Sequence, residues 1–147
     1  MLSYEILRAV LDTSVIVAAL RSRRGASNRL VELVGFGRLR PLVTTALFLE
    51  YEEVLRRPEH RLATGMSAQD VEVFLAAFAS ASEGVDVNFR WRPQLKDTAD
   101  ELVLEAAVNG RADALVTHNV RDFLDAARLF HLRVLLPREA LKELGHE

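Results

Sequence analysis

Cysteine is absent from the 147 residues. That excludes a disulfide framework, thiolate zinc sites, iron–sulfur clusters and a cysteine nucleophile. Lysine is nearly absent, since Lys96 and Lys142 stand against 17 arginines. Arginine presents a planar fork that matches phosphate, whereas lysine is a point charge. GC-rich coding explains the overall excess better, so only local arginine clusters carry meaning. Long apolar stretches are missing as well. Runs such as Val15–Leu20 fall far short of the ~20 residues that span a bilayer. The stretch containing Glu5 has no basic region followed by an apolar one, so no signal peptide is expected. The expectation is a cytoplasmic protein with no membrane contact. The net charge of −2 means that the balance is not basic overall. What is present is ordinary: half the residues are hydrophobic and about a quarter charged, as in a soluble domain. A chain of this length makes one domain that buries ~70% of the surface its unfolded form exposes.

Short β-type runs alternate with longer helical patterns. Strands are expected at Ile6–Leu11, Pro41–Thr44, Val85–Phe89, Ala114–Thr117 and Arg133–Leu136. Helices are expected at Thr13–Leu20, Ser27–Val34, Thr45 to about Arg57, Ala68–Ser80, Asp100–Asn109, Val120–Leu129 and Pro137–Leu144. Pro58 reads as a stop, Arg61–Ser67 as a loop and Trp91–Asp97 as a Pro-containing loop. Five strands separated by helices imply an α/β fold with a mainly parallel sheet covered on both faces. Functional residues in such sheets lie beyond the C-terminal ends of the strands.

The acids fall there. Asp12 ends the first strand, where it could simply cap the next helix. Glu50 interrupts an apolar helix face, which is costly unless it meets a partner such as Arg29 or a cation. Asp97 and Asp100 open the helix near Asp100 in a capping-box-like pattern. Thr117, Asn119 and Asp122 cluster after the fourth strand, where Asn119 and Asp122 also read as a helix opening. Each is unremarkable alone, but four acids converge at one sheet edge. Two carboxylates ~4 Å apart repel by about 4 kcal/mol at an effective dielectric of 20. Mg²⁺ or Mn²⁺, which prefer oxygen ligands, would compensate. His60, His118, His131 and His146 show no close ligand spacing, so zinc is poorly supported.

Four blocks carry a family resemblance: Val10-Leu11-Asp12-Thr13-Ser14, Leu49 to Pro58, Asp100 to Ala107, and Ala112 to Phe123. In this order and spacing the chain resembles PIN-domain proteins, and within them the VapC-type toxins of toxin–antitoxin systems. The resemblance runs from about Arg8 to Leu144. It implies one PIN domain over residues 1–147, with 1–7 as an N-terminal extension. It implies a three-layer α/β/α sandwich and metal-dependent hydrolysis of RNA phosphodiester bonds. Asp12, Glu50, Asp100 and Asp122 match the four family acids that would hold one or two Mg²⁺ or Mn²⁺ ions. Ser14, Thr117 and Asn119 match the supporting polar positions. Many members carry aspartate where Asn119 stands, and Pro with a second Asp where Thr98 and Ala99 stand.

The reaction so implied is attack of a cation-activated water on an RNA phosphate. Arg21, Arg23, Arg24 and Arg29, with Arg121 beside His118, are the candidate approach path for RNA; a solvated basic turn explains them equally well. The resemblance also implies a small antitoxin partner and a homodimer or higher homo-oligomer, for which the Val71–Phe78 face is a candidate, though core packing explains that face more simply. Two other readings stand beside this one. A receiver-type domain would need an acidic pair after the first strand and a lysine after the last, where Asp12-Thr13-Ser14 and Pro137 stand. A catalytically silent PIN fold would only bind RNA or protein.

Overall fold

Leu7–Leu11 forms the first strand, β1, and Ala9, Val10 and Leu11 have no exposed surface. A central parallel strand is buried on both faces, so it reads as a continuous apolar run. Arg8 is the exception, and it sits at the N-terminal end. There its guanidinium pairs with Glu83 at 2.8 Å and donates to the carbonyls of Gly110 and Arg111. The computed structural model describes residues 6–91 and 93–145. Residues 1–5 of the expected extension, and His146, lie outside the described residues. Leu7, by contrast, belongs to the sheet and pairs with Leu39.

The remaining elements follow in chain order. They are α1 (Thr13–Arg21), α2 (Ala26–Gly35), β2 (Leu39–Val43), α3 (Thr45–Leu55), α4 (Pro58–Thr64), α5 (Ala68–Ala81) and β3 (Glu83–Gly84). Then come α6 (Thr98–Asn109), β4 (Ala114–Val116), α7 (Val120–Phe130), β5 (Val134–Leu135) and α8 (Pro137–Glu143). The strand order is β3-β2-β1-β4-β5, and every pairing is parallel. Parallel crossovers are right-handed in nearly all sheets. The β1–β2 and β2–β3 connections therefore lie on one face, and the β3–β4 and β4–β5 connections on the other. α1 packs on α2 and α2 on α8, while α6 lies against β1, β2 and β4. The result is the expected three-layer α/β/α sandwich. The order differs from the 2-1-3-4-5 of receiver-type folds, which removes that reading.

Three expectations need correction. The third strand is Glu83–Gly84, not Val85–Phe89. Val85 still donates to Val43 O, but Asn88 and Phe89 then donate to Asn109 Oδ1 at 2.9 and 2.7 Å. The amide at the end of α6 thus replaces the ladder, and Phe89 stacks with Trp91, which meets Phe130. Pro58 does not merely stop α3. It opens α4 at the first helical position, where its missing N–H costs nothing, so Arg61–Thr64 is helical rather than loop. Thr44 caps α3 by accepting from Leu47 N. In α5, Val71, Leu75 and Phe78 are core residues, which removes them as a docking face.

Candidate active site

The order of the strands reverses between β1 and β4, and crevices at such a switch point are where open α/β sheets bind ligands. Asp12 leaves β1 there, and its N–H donates to Val116 O of β4 at 2.9 Å. It occupies the N-cap position of α1, yet its side chain makes no capping bond. The simple capping explanation therefore fails. Instead Thr117 Oγ1 donates to Asp12 Oδ2 at 2.7 Å and Ser14 Oγ donates to the same oxygen at 3.1 Å. Asn119 N donates to Thr117 Oγ1 at 3.0 Å, which commits the single hydroxyl proton of Thr117 to Asp12. Oδ1 of Asp12 accepts no hydrogen bond among the described residues. Asp12 is only 6% exposed, so this is an oriented, nearly buried carboxylate with one uncommitted oxygen.

A supporting contact lies one residue back. Tyr51, fully buried in α3, donates its hydroxyl to Leu11 O at 2.5 Å and packs edge-on against Phe78. Burial, with a smaller contribution from Asp12, pushes its phenol above the ordinary value. Tyr51 was readable as a core residue. A buried tyrosine also needs a partner for its hydroxyl, and that requirement was the available signal for its second role.

Asp100 stands in the first turn of α6, half-buried. Asp97 caps that helix by accepting from Ala99 N at 2.8 Å, but Asp100 returns no bond, so the capping box is not formed. Asp100 is pushed up to about 6, first by burial and then by the charges of Asp12, Asp97 and Asp122. Glu50 is half-buried on α3, and its carboxyl is raised by burial and by Glu53, then by Asp97 and Asp12, against a lowering from Arg57. Among the described residues none of Asp12, Glu50, Asp100 or Asp122 forms an ion pair. The suggested Arg29 partner for Glu50 lies elsewhere, in a groove beside α2 and α8. Asp122 is exposed in the first turn of α7, and Asn119 precedes that helix without a side-chain cap bond.

The expected basic path divides. Arg21 lines a cleft of about 540 Å³ with Thr13, Ser14, Val54 and His60. Arg23, Arg24 and Arg29 line the groove beside α8. Arg121 is exposed at the start of α7, and His118 Nε2 lies 3.3 Å from Ser27 Oγ.

The PIN domain family model matches residues 8–121. The chain belongs to the PIN domain family. The matched span holds Asp12, Ser14, Glu50, Asp100, Thr117 and Asn119 of this PIN domain and stops one residue before Asp122. No curated protein and no solved structure matches the chain. PIN domains are generally nucleases, usually dependent on Mg²⁺ or Mn²⁺, and PIN nucleases bind RNA. The donors here are all carboxylate oxygens, the chemistry a hard dication needs. Their spacing is looser than the shared cup expected from sequence. Among the described residues no three acidic or histidine side chains stand close enough to enclose an ion. Glu50 arrives from mid-helix and Asp122 from an exposed first turn, so neither is drawn in by the sheet as Asp12 is. Mg²⁺ commonly takes one or two carboxylates and keeps several waters. Asp12 with Asp100 is a donor set of that kind. Among the described residues no helix is long and apolar enough to cross a membrane.

Proposed function

We propose that this PIN domain is a divalent-metal-dependent endoribonuclease, and that Asp12, Glu50, Asp100 and Asp122 make its active site. The observation that supports it most is the company of Asp100. Its carboxyl is raised by burial and by three neighbouring carboxylates, and among the described residues none of the candidate acids has a cationic side chain as ion-pair partner. A fold gains no stability from that arrangement unless a cation joins it.

Asp12 Oδ1 and the Asp100 carboxylate would hold one Mg²⁺ or Mn²⁺, with Asp122 and Glu50 toward a second. When bound, the ion polarises the phosphate and favours ionisation of the attacking water. Ser14 and Thr117 keep Oδ2 occupied and so present Oδ1. Tyr51 holds the backbone at Leu11 and thereby the angle at which Asp12 leaves the strand. Glu50, whose affinity for a proton is raised, takes the proton of the water as the new P–O bond forms, and that proton passes to the leaving oxygen as its bond to phosphorus breaks. The reading extends to a toxin role, in which the chain pairs with a small antitoxin and assembles as a homodimer or higher homo-oligomer.

The test is cleavage of single-stranded RNA by the purified chain in Mn²⁺, in excess EDTA, and with Asp12→Asn. Cleavage in the first case alone is expected. Equal cleavage by Asp12→Asn at matched purity would refute the assignment. Mn²⁺ binding without any cleavage would favour the silent, RNA- or protein-binding reading instead. For the toxin role, induced expression should arrest growth, and Asp12→Asn should relieve the arrest.

A further inference from the structure

A cavity of about 1110 Å³ lies away from the acids, between α2 and α8. Pockets for small ligands run to ~300–1,000 Å³, so this groove is large enough for a segment of a polymer. Arg23, Arg24, Arg29, Arg138 and Lys142 line it. Among the described residues none of these five cations has an ion pair or a side-chain hydrogen bond. Arg8, Arg56, Arg57, Arg90, Arg128 and Arg133 are paired with acids, while among the described residues Arg21, Arg40 and Arg121 are not; what sets these five apart is that they converge on one cavity. Of the three carboxylates that share the groove, Glu143 is paired with Arg133 and Glu139 accepts from Leu136 N at 2.8 Å. Glu32 is the third.

The groove is joined to the candidate active site by two short connections. Leu135 lines the groove, and its carbonyl accepts from Thr117 N at 2.9 Å. Gly25 and Ala26 also line it, and the next residue, Ser27, meets His118 at 3.3 Å. Thr117 in turn donates to Asp12. Thr117 and Ser27 are buried, so these contacts set the groove and Asp12 side by side rather than opening a channel between them. The lining contains Ala26, Leu135 and Leu141 but no aromatic side chain, so the groove offers bases no aromatic platform. Arg138 and Lys142 lie beyond residue 121, outside the span of the family match.

We propose that the α2–α8 groove is a phosphate track that holds the single strand flanking the cut through its backbone, with little preference for sequence. The proposal rests on the ribonuclease reading for its ligand, and Arg138 and Lys142 are its distinctive residues. Each phosphate contact on a single strand contributes a slope of about −0.7 to log K against log salt. Five contacts give about −3.5, and losing two makes the slope shallower by about 1.4.

The experiment uses the full chain carrying Asp12→Asn, so that the strand is held and not cut, and a fluorescently labelled RNA without self-pairing. Arg138→Gln with Lys142→Gln on that background should weaken binding and flatten the salt slope by about that amount. On the otherwise wild-type chain the same pair of changes should leave Mn²⁺ affinity as it was. An unchanged slope would overturn the proposal. So would an acidic peptide of equal charge that displaces the RNA at lower concentration, which would assign the groove to a protein partner. A second measurement needs no groove variant: affinity should rise with strand length and level off at about five phosphates. A plateau already reached with a dinucleotide would refute the track. Because binding is read without turnover, failure of cleavage and failure of the track are separate results.

Discussion

Protons and the dication should compete for Asp100. Its carboxyl titrates at about 6, well above the 3.8 of a free aspartate, because burial and the charges of Asp12, Asp97 and Asp122 all disfavour ionisation. A cation needs the ionised form, so apparent affinity follows the ionised fraction. With a pKa of about 6 that fraction is ~0.9 at pH 7 and ~0.09 at pH 5, a fall of about tenfold in affinity. Titration calorimetry with Mn²⁺ at pH 5, 6 and 7 measures it, and NMR of the side-chain carboxyl locates the titration directly. Asp12→Asn should move that titration downward, since one of the repelling charges is gone. The folded state without a cation also holds this proton more tightly than the unfolded chain does. Its contribution to stability therefore falls as pH rises from about 3.8 to about 6 and is constant above, opposite in sign to Glu83, which Arg8 holds below its ordinary value. The stability gained by Asp100→Asn, measured by urea unfolding without metal, should accordingly be larger at pH 7 than at pH 4. Mn²⁺ affinity that is flat from pH 5 to 7 would refute the reasoning.

Three further outcomes follow from single contacts. Thr117→Val keeps the shape but removes the donor to Asp12 Oδ2, and should cost ~10–100-fold in Mn²⁺ affinity with the fold retained, by calorimetry and circular dichroism. Tyr51→Phe removes the donor to Leu11 O in a buried setting and should destabilise by ~1–3 kcal/mol in urea unfolding. Gly110→Ala places a Cβ 2.9 Å from Ala106 O and 3.0 Å from Leu42 Cδ1 and Val85 Cγ2, and should cost ~1–3 kcal/mol by the same assay.

The sheet was legible because its central strands are buried on both faces and end at marked residues. Ala114–Val116 is a continuous apolar run that stops at Thr117, and Leu7–Leu11 is apolar but for Arg8 and stops at Asp12. The edge was harder. Val85, Val87 and Phe89 alternate as a strand would, but a tertiary contact decided the outcome: Asn109 claims the backbone that the ladder would have used. Pro58 was ambiguous for a physical reason, since one proline can end one helix and begin the next. At the candidate site, Asp12 and Thr117 could be placed from strand ends alone. The depth of Glu50 and the exposure of Asp122 depend on helix orientation, which spacing does not specify. The arginines of residues 21–29 look like one cluster in sequence, yet the turn after α1 sends Arg21 to one cleft and the others to another. Arg138 and Lys142, four residues apart on α8, look like an ordinary solvated face until α2 is packed beside them.

Anomalous diffraction from a crystal soaked in Mn²⁺ at pH 7.5 would test the central claim most directly. The expected result is a peak in direct contact with Asp12 Oδ1 and a carboxylate oxygen of Asp100, lost in Asp12→Asn. Manganese bound only at surface carboxylates elsewhere, with none between β1 and α6, would contradict it.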